Sequence, residues 1–565
     1  MIQRSSALLG LVAIVACTNT EIVAPPRDPK PVGVEPQPEP EVVKKNPFKL
    51  EGELLAEEQL PVLKGPKPIV AEVALPKAPK GVPAAPASCK VFTARVAKKP
   101  LTPVGGGTQT CADPAGALSG LAVALEMTSG DDRDAALLEL ESCKGLEPGL
   151  VRALRIELAP PECGDVLAEP LLSKKPTGLS GSIDHALVGL SLAARLHRTA
   201  ATPPVLAAPF SKKRVEQFIQ KELFPWFNEQ AVAVEELSKQ GAALSSYGKG
   251  VVALAAGWAD LRMVDVLRES PIPDEFRADT EKGAVYYAAL DDRLEPRKAR
   301  GRDAALVGIR EMAYQGILVD ERTSRTRSLL AKLYGGRRVD GLDILLRPAS
   351  SPGVSSEPAA VLARKLPTFY AGLLLDPAKA IEPAVFTALT TRGVPTPMRA
   401  ALKEAEATLV PEVRSAYGHF KLAMGLRYWR SVDFDVAVAL FDKLPEDKRT
   451  AEDWLGHATA LGLRHGPTDV AAIMLQLDAI GPKFGDVRAL DWVRDEKKGV
   501  PAAGQAAFNA AVIRQIATPR DADGAYWTAL EERYKAAVSL LEEPARNEAF
   551  ERARAAGATA KVLSK

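Results

Sequence analysis

An all-α protein is predicted, a helical-hairpin array that follows a disordered, Pro-rich N-terminal tether. Three observations predict it. Apolar residues recur at helical spacing through most of the chain beyond residue 114, alternating strand patterns are almost absent, and Ala, Leu and Arg are plentiful. The 565 residues leave room for more than one core. Lys and Arg total 73 against 71 Asp and Glu, so the charge is balanced and no nucleic-acid partner is expected. No later apolar run reaches the roughly 20 residues that a spanning helix needs. Residues 250–259 come closest and, flanked by Lys249 and Asp260, read as a buried helix.

The first element is a leader. Arg4 supplies a positive start, residues 8–16 are uncharged and apolar apart from Gly10, and the run ends in Ile14-Val15-Ala16-Cys17. This ending resembles the lipobox of bacterial lipoproteins. The resemblance implies a signal peptide over 1–16, cleavage before Cys17, a diacylglycerol thioether on that thiol and acylation (typically palmitate) of the new amino group. Each buried CH₂ adds about 0.8 kcal/mol to such an anchor. Thr18 is not Asp, which by the same resemblance favours the outer membrane, facing the periplasm.

Residues 17–88 read as the tether. Pro recurs from Pro25-Pro26 to Pro86 among Lys, Glu and Val, a composition that cannot build a core and tends towards polyproline II. Its limiting reach is on the order of 200 Å. Cys89, Cys111, Cys143 and Cys163 follow, with no cysteine after them. An even set outside the cytoplasm reads as two disulfides. Three connectivities are possible, and nearest-neighbour pairing, Cys89 with Cys111 and Cys143 with Cys163, is preferred. Zinc is disfavoured because the spacings are wide and no His lies among them. The Gly105-Gly106-Gly107 run reads as a loop, since no phosphate-binding Lys follows.

A disulfide-containing helical region over 89–200 comes first, with helices at 115–127, 133–143, 148–158, 163–172 and 183–197. An Asp cap is expected in Ser129-Gly130-Asp131-Asp132. A second helical domain spans 201–350, with helices from Ser211, a break at Pro225, and helices at 226–244, 251–267, 274–293, 299–317, 323–334 and 339–346. The stretch 237–262 is crowded with Gly and Ala and implies close helix–helix contact. The charged run 295–303 reads as a solvated loop and helix start, with a basic docking patch as the alternative.

The third region, 351–565, carries a fold-level pattern. Gly425, Tyr428, Ala437 and Phe441 are spaced so that a small residue and an aromatic on one helix meet Ala and Phe on the next, and Ala471 and Leu475 continue the pattern one period later. The pattern resembles the tetratricopeptide repeat. It departs at Lys421, where that family commonly has Trp, and at Gly462, which replaces Tyr428 in the second unit. The resemblance implies stacked hairpins with a groove for partner proteins, closed by polar capping helices over 521–557.

No catalytic constellation emerges. His185, His197, His419, His457 and His465 are scattered, so no metal or cofactor is expected. Ser246-Tyr247-Gly248-Lys249 matches a common four-residue nucleophile pattern without its usual partners. The carboxylate pairs Asp131-Asp132, Glu235-Glu236 and Asp291-Asp292 read as solvated helix ends or faces. The expectation is a non-enzymatic envelope lipoprotein that binds envelope proteins, in outer-membrane assembly, secretion or motility, and is membrane-bound through Cys17. The alternative is a cell-wall or polysaccharide-processing enzyme, or a binding protein, whose site has no recognisable motif.

Overall fold

The computed structural model describes residues 47–49, 53–54, 73–95, 111, 113–334, 337–348, 355–466, 484–519 and 521–564. Cys17, the Gly105–Gly107 run, Ala471 and Leu475 lie outside the described residues. Among the described residues every regular element is helical, and one isolated bridge joins Ile317 and Gly393.

Counting helices of seven residues or more, the chain begins with α1 (Pro114–Glu126) and α2 (Gly130–Leu140). Asp113 caps α1 by accepting from Gly116 N at 2.8 Å. The α2 cap is Ser129, which accepts from Asp132 N at 3.2 Å, so the expected Asp cap is corrected by one short side chain. The two helices form a hairpin, which returns the chain to its start. Cys111 and Cys143 therefore meet across its open end, with Cα atoms 4.8 Å apart.

Next come α3 (Leu150–Leu158), α4 (Gly164–Ser173) and α5 (Gly181–Thr199). Cys163 lies in the turn before α4 and bonds Cys89, with Cα atoms 5.4 Å apart. The pairing is thus nested, 89–163 around 111–143, and the nearest-neighbour pairing is wrong. Helix geometry decides it: a two-helix hairpin brings its ends together, whereas chain proximity counts only the residues between cysteines.

A second correction concerns the tether. Residues 73–88 are packed against helices. Their prolines lack N–H donors, so the segment offers mainly carbonyls. Long side chains supply the donors: Arg195 to Pro76 O at 2.7 Å, Arg198 to Pro83 O at 2.9 Å, and Gln230 to Gly81 O at 2.9 Å. Val73 N donates to Asp184, and Val73, Leu75 and Val82 pack on a core shared by α5 and the two helices described next. An earlier contact is made by Phe48, 6% exposed, whose ring packs edge-on against the touching pair Trp454 and Trp492 at 4.8 and 5.2 Å. Nearby, Glu53 O accepts from Arg464.

The middle of the fold holds α6 (Lys212–Phe218), a π turn over Ile219–Leu223, α7 (Phe224–Gly241), α8 (Ser246–Glu269) and α9 (Thr280–Tyr314). The expected break at Pro225 is not seen: the helix runs on without interruption over 212–241, and the π turn just before Pro225 is where its ladder loosens. The pair α8–α9 makes the most extensive helix contact among the described residues. Gly250 faces Met312, Leu254 faces Gly308, Gly257 faces Ala305 and Leu261 faces Gly301. Each step forward on α8 is a step back on α9, so the helices run antiparallel. The steps of four, three and four residues match a coiled-coil seam, and nearly every contact sets a large residue against a small one. A Cβ on Gly257 would lie 2.5 Å from Ala305 N. The small-residue stretch is therefore the contact surface it promises to be.

The charged run 295–303 is neither a loop nor a docking patch. It lies inside α9, which continues through the exposed Pro296. Arg297 and Arg300 turn inward and both bond Asp260, itself 1% exposed, at 2.6 and 2.7 Å.

The chain continues through α10 (Glu321–Tyr334), α11 (Arg337–Ile344), α12 (Pro358–Lys365), α13 (Thr368–Leu374), α14 (Pro383–Leu389) and α15 (Thr396–Glu404). Helix α12 packs back on α1, and residues 47–565 form one compact unit. The final run is α16 (Pro411–Tyr428), α17 (Ser431–Asp442), α18 (Ala451–Leu463), α19 (Arg488–Glu496), α20 (Pro501–Ile516), α21 (Gly524–Val538) and α22 (Ala545–Leu563). Each of these helices packs on the next, which makes an array.

In α16–α17, Gly425 meets the ring of Phe434 and Gly418 meets that of Phe441, again in antiparallel register. Ala437 and Phe441 are fully buried, as expected for the hairpin. Tyr428 instead reaches out of the hairpin and donates to Ile317 O beyond α9. Lys421, the departure from the repeat pattern, is 1% exposed and pairs with Asp433 at 3.4 Å, while Arg430 approaches the other oxygen of Asp433. An ion pair across the hairpin thus takes the place of a large ring.

Candidate functional site: a polar cleft in the helical array

A cleft of about 1100 Å³ opens between α14, α16, the start of α18 and the segment 343–348. Hydroxyls line one side: Thr387, Thr390 and Thr391 from α14, Ser415 from α16, and Thr450 before α18. Glu412 and Glu452 stand exposed at the rim.

The opposing wall is the chain itself. Residues 345–348 leave α11 in a non-helical stretch. Asn509 of α20, wholly buried, accepts from Leu346 N at 2.8 Å and donates to Leu346 O at 2.9 Å. One carboxamide thus engages both polar groups of one residue, as a neighbouring strand would, which requires an extended backbone. Asn509 also donates to Thr459 Oγ at 3.2 Å. The array therefore already holds one extended segment by its main chain.

Ser415, His419 and Asp453 meet in the same cleft. Ser415 and His419 are one turn apart on α16, and Asp453 is the third residue of the α18 capping box with Thr450. The trio resembles a nucleophile relay by composition only. Ser415 Oγ donates to Asp453 Oδ1 at 2.5 Å, and His419 Nε2 lies 3.1 Å from the same oxygen. A relay needs the imidazole between hydroxyl and carboxylate. Here the carboxylate is in the middle, and His419 Nδ1 lies against Gly456, close enough to collide with an added Cβ. Burial pushes the Asp453 acid up, but hydrogen bonds from His419, Ser415 and the Thr450 backbone outweigh it and hold the group at about 2. The cluster is a saturated acceptor that ties α16 to α18. Sequence reading passed over it; the signals were the i, i+4 spacing of Ser415 and His419 and the Thr450-x-x-Asp453 cap.

The other candidates separate. His185 Nδ1 accepts from Ser245 N at 2.7 Å, ahead of α8. His197 stacks on Trp258 at 5.1 Å. His457 is wholly buried among Phe48, Phe441 and Trp454, and neither ring nitrogen has a protein partner. His465 takes a left-handed backbone conformation after α18. Among the described residues no three His, Cys, Asp or Glu side chains gather as metal ligands. Lys249 Nζ pairs with Glu311 Oε1 at 3.4 Å. Asp131 binds Arg95, Glu235 binds Lys239, and Asp291 binds Arg268, each at a helix end or face.

No family model, no curated protein and no solved structure matches this chain. The cleft is therefore interpreted on its own chemistry: an extended backbone wall held from behind, a hydroxyl wall, and exposed charges of both signs, Glu412 and Glu452 with Arg347 and Lys448.

Proposed function

We propose that the protein is a lipid-anchored lipoprotein of the bacterial cell envelope, held by Cys17 at the outer membrane, and that its helical array is a non-enzymatic docking surface for an extended segment of an envelope protein. The clamp of Asn509 on Leu346 carries this reading, because from behind the cleft it fixes residues 345–348 as an extended wall along which a second extended segment can lie. The leader sequence around Cys17 supports the anchor.

Site-specific photo-crosslinking in cells tests the docking. A crosslinker at Thr391 or Glu412 should trap a discrete envelope protein, and one at Arg554 on the exposed face of α22 should not. Equal labelling at both positions, or capture of glycan strands alone, would overturn the reading. The anchor is tested separately: Cys17→Ser should release the protein from membranes, and full retention would refute lipidation there.

A further inference from the structure

We propose that a second cavity, enclosed by α3, α5, α8 and the start of α10, binds a monocarboxylate with an apolar body the size of a medium-chain fatty acid. The cavity measures about 290 Å³, at the lower end of small-molecule sites (roughly 300–1,000 Å³). Its inner wall is apolar, with Leu158, Leu190 and Leu254. Most of its charged groups are already matched. Glu157 takes the Tyr247 hydroxyl and Arg322, and Arg322 also donates to Asp320 at 2.6 Å.

Arg325 is the exception. Its Nη1 bonds His197 Nε2 at 2.8 Å, and its guanidinium lies 5.7 Å above the Trp258 ring, on which His197 also stacks. Imidazole and indole together fix the plane of the guanidinium. With Nη1 engaged, the Nε–Nη2 edge remains, the one that receives a carboxylate in two parallel hydrogen bonds. Nε is buried and has no hydrogen-bond partner. The nearest carboxylate oxygen belongs to Glu321, 3.8 Å away on a side chain that is 81% exposed. That distance is outside hydrogen-bond range, and the side chain is solvated.

An incoming carboxylate would complete the edge and leave its apolar body against the leucines. The charge balance limits the ligand to one negative charge. Glu157 and Asp320 balance Arg322 and Arg325 while Glu321 stands in solvent, so one carboxylate finds a partner at Arg325 and a second negative charge would find none. Burial and the adjacent Arg325 both lower the His197 pKa, which keeps the imidazole neutral and able to accept from Arg325.

Calorimetric titration of the full chain with octanoate, using octanol as the uncharged control, tests the site. Octanoate should bind at least tenfold more tightly than octanol. Arg325→Gln should weaken octanoate about tenfold or more and leave octanol unchanged. Glu321→Gln, an exposed change that leaves the fold intact, should tighten octanoate severalfold by removing the competing carboxylate. Octanol binding as well as octanoate, octanoate binding unaffected by Arg325→Gln, or no binding at millimolar octanoate would each overturn the assignment.

Discussion

Replacing His457 by Leu should make the protein less sensitive to mild acid. His457 is wholly buried, both ring nitrogens lack protein partners, and its neighbours are the rings of Phe48 and Phe441. Burial, reinforced by the Arg449 charge, lowers its pKa from 6.5 to about 3. The unfolded chain therefore takes up a proton below pH 6.5 that the folded chain refuses until about pH 3. Stability is full above the higher value and is lost progressively as pH falls towards the lower one. At about 1.36 kcal/mol per pH unit, the loss is roughly 2 kcal/mol by pH 5 and on the order of 5 kcal/mol by pH 3. His457→Leu removes this contribution and two unsatisfied polar atoms, each costing about 1–3 kcal/mol when buried. It sacrifices part of the ring contact with Phe48. The variant should equal or exceed the parent at pH 7 and exceed it by about 2 kcal/mol more at pH 5. Urea unfolding followed by tryptophan fluorescence at the two pH values measures the difference. The carboxylates and the remaining histidines are common to both proteins, so their titration cancels in the comparison. Parallel pH profiles for the two proteins would refute the argument.

Three further outcomes are expected. Non-reducing peptide mapping should recover fragments joining Cys89 to Cys163 and Cys111 to Cys143; fragments joining Cys89 to Cys111 would refute the nested topology. Asp260→Asn should cost about 3–5 kcal/mol, because it strips the partner from two inward-facing arginines, and a thermal-unfolding midpoint unchanged from the parent would contradict their buried pairing. Phe48→Ala should cost about 3 kcal/mol by emptying the socket against Trp454 and Trp492 and should hasten protease cleavage near residue 48, whereas an unchanged cleavage rate would show the socket to be dispensable.

The all-α class and the close helix contact around 237–262 were legible because both are local. Helical periodicity and a run of small residues need no knowledge of the partner. The partner was the illegible half. Gly301, Ala305 and Gly308 complete the α8 seam, but Pro296 and the dense charge around it divided that helix in the sequence reading. Arg297 and Arg300 read as a solvated surface because the carboxylate that neutralises them, Asp260, lies 37 and 40 residues away. The cysteine pairing failed for the same reason: spacing along the chain says nothing of a hairpin that folds back. Of the candidate cleft, Gly425, Ala437 and Phe441 gave the scaffold, and none of them gave the clamp. Asn509 sits 163 residues from Leu346, and a lone Asn in an Ala-rich helix carries no pattern.

The Phe48 socket changes how the molecule would bear load. A tether ending at Cys89 would transmit a pull on the N-terminus straight into the disulfide-bonded region. Instead, among the described residues the pull would meet in chain order a single ring packed on two indoles of the C-terminal array, then a strap whose carbonyls are gripped by Arg195, Arg198 and Gln230, and then the Cys89–Cys163 link. These stages are graded from apolar contact to hydrogen bonds to covalent bond. The first two can yield and re-form, and slack is paid out 89-ward before any helix is disturbed. The described N-terminal segment would thus act as a resettable shock absorber between a pull on the N-terminus and the helical array.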